Sequence, residues 1–140
     1  MTLIVSECMP SAYQFITPTS PVFVYAIRPH LYIHGSPAGT VTVQIQDDVG
    51  RVVQEATPVT ITSLKTLSYA HGYFRFLMSA NLAQDATYRI AVVCGGGYSF
   101  NESAYVGVCH DWDNTKATLS YTANGSFEKP LDIEIWERLP

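Results

Sequence analysis

Residues 40–61, TVTVQIQDDVGRVVQEATPVTI, decide the fold. Val41, Val43 and Ile45 alternate with Thr40, Thr42, Gln44 and Gln46, the period-two pattern of a half-buried strand. Asp47-Asp48-Val49-Gly50 supplies turn chemistry, and Arg51-Val52-Val53 restarts an extended run. This is a hairpin written in sequence. The same grammar recurs on both sides. Extended runs are expected over 22–28, 30–34, 40–47, 51–56, 58–64, 73–78, 87–94, 104–109, 117–122 and 131–138, with at most a short helix over 80–84. Turn clusters such as Gly35-Ser36-Pro37-Ala38-Gly39 and Gly95-Gly96-Gly97 stand between them. Pro29 separates the first two runs. Many short strands without long helices predict an all-β fold: one antiparallel β-sandwich, jelly-roll-like, over residues 22–140.

Residues 1–21 read differently. They are punctuated by Pro10, Pro18 and Pro21 and carry Met9, Tyr13, Phe15 and Ile16. Leu3-Ile4-Val5 suits a short edge strand, and the rest is expected to be an extended N-terminal arm, packed on its own domain or docked on a neighbouring subunit, with those four side chains as candidate interface residues.

A chain of 140 residues fits one domain and buries enough surface to need no staples. Only 14% of its residues are charged, against about 25% in typical domains. Low charge and 12% aromatic content point to faces covered by a partner. The net charge of −4, with Lys and Arg spread singly, argues against nucleic acid as that partner. The N-terminus lacks the basic start and apolar run of a signal peptide, and no stretch reaches the ~20 apolar residues of a membrane helix. Synthesis in a cytoplasm and no membrane partner are therefore expected. Cys8, Cys94 and Cys109 are an odd number and read as three free thiols. Pairing Val92 with Val106 and Ile90 with Val108 in a hairpin would put Cys94 and Cys109 on opposite faces.

Stretch 72–93, GYFRFLMSANLAQDATYRIAVV, joins an aromatic strand to a Thr-Tyr-Arg-Ile strand through a short connection containing Leu82. It is similar to a stretch of jelly-roll sandwiches found in carbohydrate-binding modules and in small bacteriophage virion proteins. The hairpin at 43–56 and the closing run 130–136 fit the same pattern, so the resemblance covers about half the chain. It implies a fold rather than functional residues. With the apolar arm and few charges, it implies a non-enzymatic bacteriophage virion structural protein, a capsid decoration or cement subunit or a tail accessory. Its partners would be other virion proteins or copies of itself, and its location the virion. The alternative is a carbohydrate-binding module for surface adhesion, with Tyr98, Phe100, Tyr105 and Trp112 as candidate ring platforms for a glycan.

Chemistry-bearing clusters are sparse. Cys109-His110-Asp111-Trp112-Asp113-Asn114 holds metal-ligand types but no second cluster at metal spacing, and Lys116 and Thr122 stand where a calcium loop needs Gly and Glu. A solvated loop is the simpler reading. No nucleophile elbow is present, and Gly95-Gly96-Gly97-Tyr98 lacks the Lys and helix of a phosphate loop. His30, His34 and His71 read as surface or capping residues. No catalytic residue, cofactor or metal is assigned.

Overall fold

The computed structural model describes residues 5–66, 71–110, 120–122 and 131–138. Twelve strands are described: β1 (Val5–Glu7), β2 (Ser11–Thr17), β3 (Val22–His34), β4 (Thr40–Asp47), β5 (Val52–Glu55), β6 (Val59–Thr60), β7 (His71–Tyr73), β8 (Phe76–Leu82), β9 (Tyr88–Gly95), β10 (Tyr105–Cys109), β11 (Ser120–Thr122) and β12 (Ile133–Arg138). They form two antiparallel sheets packed face to face, an all-β sandwich as expected. Sheet I holds β1, β10, β3, β12, β7 and β8; sheet II runs β11-β2-β9-β4-β5, with β6 beside β4.

The deciding hairpin forms as read. Val41, Val43 and Ile45 are fully buried. Asp47 closes the turn by accepting backbone N–H bonds from Val49 (3.0 Å) and Arg51 (2.8 Å) and pairing with the Arg51 guanidinium. The Arg51 N–H is the main cause that holds its carboxyl below the usual range.

Residues 30–34 are not a separate strand. β3 runs unbroken through Pro29 for 13 residues. The Pro29 carbonyl accepts the Phe74 N–H, so the side of Pro29 that lacks a donor faces the short break between β7 and β8. No ladder bond is lost there, and a proline is tolerated. β7 and β10 both pair with residues 31–32 of β3, so they must flank it on opposite edges. β8 and β12 likewise share residues 23–27.

The N-terminal segment departs from expectation. β1 pairs with β10, and β2 lies inside sheet II between β9 and β11. Alternation in Ala12-Tyr13-Gln14-Phe15-Ile16 explains it: Ala12, Gln14 and Ile16 are buried while Tyr13 and Phe15 face outward. The fully buried Gln14 accepts the Leu131 N–H at 3.0 Å and donates to the Phe15 carbonyl at 3.2 Å, which satisfies its amide. Residues 5–17 are thus part of the sandwich rather than an arm outside a 22–140 domain.

Three smaller readings are also corrected. After β6 the chain turns into a 3₁₀ segment, Ile61–Thr66, in which Ile61 and Leu64 drop into the core at the three-residue spacing of that helix. Residues 80–82 finish β8 rather than start a helix, because Ala80 and Leu82 keep the strand alternation. β9 and β10 lie in different sheets, so the hairpin expected between them does not exist.

Candidate interaction surfaces

One flank of the sandwich exposes the outermost strands of both sheets. β5 ends sheet II, and β8 pairs with β3 alone in sheet I. The strands are clasped by one side chain. Gln54 donates to the Ser79 carbonyl (2.7 Å) and accepts the Ser79 N–H (2.6 Å), so its amide stands in for a strand. On β5 the ladder with β4 slips, pairing Ile45 with Gln54 and Gln46 with Val52, and Val53 is left over as a bulge. Val52 and Val53 are both about half exposed, and Leu77 on β8 is 68% exposed. Val49 adds an exposed valine at the hairpin tip. Leu77 also bounds a cleft of about 270 Å³ that is lined by Thr57, Val59, Phe74, Arg75 and Phe76. Exposed aliphatic side chains on outermost strands suit burial against another protein.

The outer face of sheet I carries a different chemistry, because alternate residues of β3 point outward. Tyr32 and His34 project there and meet Tyr105 of β10, with ring centroids 6.0 and 5.0 Å away. Phe100 joins at 5.5 Å. One turn of alternation earlier, His30 Nδ1 lies 2.9 Å from Asp132 Oδ2, and the Tyr73 hydroxyl donates to the same oxygen. His30 Nε2 and His71 Nδ1 are 2.8 Å apart, so one imidazole donates to the other. This chain of bonds ties β7 and the start of β12 to β3. Further along, Arg28 pairs with Glu134 at 2.6 Å, which raises the guanidinium pKa, and it stacks over Tyr73.

The expected site residues separate. Met9 is 62% exposed, but Ile16 has no exposed surface and serves the core. Tyr13 and Phe15 meet edge to face (ring centroids 5.4 Å apart) and lie under Arg89 on the outer face of sheet II. Phe100 and Tyr105 do come together. Tyr98 does not join them: it turns inward, donates to the Cys8 carbonyl (2.8 Å) and accepts the Val106 N–H (3.2 Å). Burial pushes its hydroxyl pKa up to about 12. Trp112 lies outside the described residues, as do Asp111, Asp113 and Asn114 of the same run.

Sequence reasoning missed Tyr32, His34, Val52, Val53 and Leu77. The adjacent valines were the available signal, since two neighbouring apolar residues cannot both face the core of a regular strand. Ser6 Oγ and His110 Nε2 are 3.0 Å apart, yet Ser6 pairs with the buried Val108 and shares its inward face. Among the described residues, no three His, Cys, Asp or Glu side chains are grouped to hold a metal, and no helix is long and apolar enough to cross a membrane. Compared with known proteins, the chain matches no family model, no curated protein and no solved structure.

Proposed function

We propose that this chain is a non-enzymatic structural protein of a bacteriophage virion, a capsid decoration or cement subunit or a tail accessory. It works by burying the β5/β8 flank against other virion proteins or copies of itself. The observation that carries the reading is the exposure of Val52, Val53 and Leu77 on the outermost strands β5 and β8, with a cleft bounded by Leu77. The low charge content agrees with it, since interface cores are depleted in charged residues.

The test is a Val53→Lys/Leu77→Lys variant compared with the parent by light scattering and by co-sedimentation with particles from the source culture. The parent should assemble with rising concentration or travel with particles. The variant should do neither, with a thermal midpoint within a few degrees of the parent, because exposed substitutions cost about 0.5 kcal/mol or less. A parent that stays monomeric and never travels with particles would sink the proposal.

A second reading has its own observation, the ring cluster of Tyr32, His34, Phe100 and Tyr105. A glycan-adhesion module would stack sugar on those rings. Tyr105→Ala should then abolish retention on a glycan array while leaving assembly intact; unchanged retention removes this alternative.

A further inference from the structure

The chain crosses from sheet I to sheet II within three residues. β1 ends at Glu7 and β2 begins at Ser11. The Cys8 N–H still donates to Val106 of β10 in sheet I (2.9 Å), whereas the Pro10 carbonyl already accepts the Cys94 N–H of β9 in sheet II (2.9 Å). At this corner two cysteines enter the core from opposite sheets. Cys8 is fully buried and Cys94 is 4% exposed. The neighbouring Cys94 thiol, ahead of burial, raises the pKa of Cys8. The Cys8 sulfur also lies 4.0 Å from the Val92 carbonyl. Cys109 is elsewhere. It pairs with Val5 on β1, out of step with the inward-facing Val106 and Val108, and burial lifts its thiol to about 12.

We propose that Cys8 and Cys94 are the two halves of a latent disulfide that staples sheet I to sheet II when the protein meets a low-molecular-weight disulfide oxidant. The thiolate of one cysteine attacks the disulfide of oxidised glutathione and expels one glutathione thiolate, leaving a mixed disulfide. The second cysteine attacks the protein sulfur of that bond and expels the other glutathione thiolate. The protein loses two electrons and two protons, and the oxidant gains them as two thiols. The buried pair reacts slowly while the corner is closed, because the oxidant cannot reach either sulfur. The dithiol therefore survives inside a reducing cell and closes on refolding, or on opening of the corner, outside it.

The full chain is unfolded and refolded in a mixture of reduced and oxidised glutathione, then alkylated under denaturing conditions and weighed intact. The expected product has lost two hydrogens, carries one alkylated thiol at Cys109, and yields a Cys8–Cys94 linked peptide on digestion. Its thermal midpoint should exceed that of the reduced chain by roughly 10 °C, since the closed loop spans most of the first two-thirds of the chain. Cys94→Ala should lose the gain, and Cys109→Ala should keep the link. Three alkylated thiols after oxidative refolding, a link made through Cys109, or a linked chain that melts lower would each overturn the proposal.

Discussion

A chain lacking residues 1–17 is expected to give no cooperative thermal transition and a collapsed amide NMR spectrum. The deletion removes β1, the edge partner of β10, and β2, which lies between β9 and β11. The core loses Cys8, Ala12 and Ile16, and β9 loses its ladder partner from Tyr88 to Val93. Truncating a single buried Ile or Leu to Ala costs about 2–5 kcal/mol. Losing a whole interior strand therefore exceeds the roughly 5–15 kcal/mol that holds a domain of this size together. An external arm would behave in the opposite way, leaving the sandwich to melt as before. Retention of a sharp transition in the truncated chain would show that β2 is dispensable.

Gly39→Ala is expected to lower the thermal midpoint by on the order of 10 °C. Gly39 sits at φ +107, and a Cβ there would press on the Gly95 carbonyl and stand 2.7 Å from the Tyr98 amide nitrogen. Both neighbours are backbone, so neither can swing aside. Strain in this region costs about 1–3 kcal/mol and overpacking a similar amount, and in a domain of this length each kcal/mol shifts the midpoint by about 2–4 °C. Gly97→Ala is the control. Gly97 also has positive φ (+93) but has nothing within 4 Å of its missing Cβ. It should cost only the backbone strain. Equal melting shifts in the two variants would mean that close approach at Gly39 contributes nothing.

Much of this architecture was legible residue by residue. Val41, Val43 and Ile45 announced their strand because one face is dry and the other wet, and period two reports that contrast directly. The segment Ala12–Ile16 carried the same alternation but was obscured by three nearby prolines. Those prolines mark the corners where the chain leaves and re-enters the sheets, not an absence of sheet. Pro29 misled for a related reason. Whether proline ends a strand depends on what lies beside its missing N–H, and here that is the gap between β7 and β8. The surfaces were harder to read. Phe100 and Tyr105 are near in sequence and did meet, whereas Tyr32, His34 and Leu77 reach their surfaces only through sheet pairing. Tyr98 shows the limit clearly, since its ring faces inward because Val106 and Cys8, the latter 90 residues away, offer its hydroxyl both partners.

β3 is the axis on which sheet I is registered, pairing with β7, β8, β10 and β12. Its bond between Arg28 and Glu134 joins residues 106 apart, and the Gln14–Leu131 bond spans 117. β12 therefore completes a ladder begun by the third strand. Until then the β12 edge of β3 is bare, and its burial must wait for closure of nearly the whole chain. Folding is consequently expected to be slow, as it is for chains dominated by distant pairings.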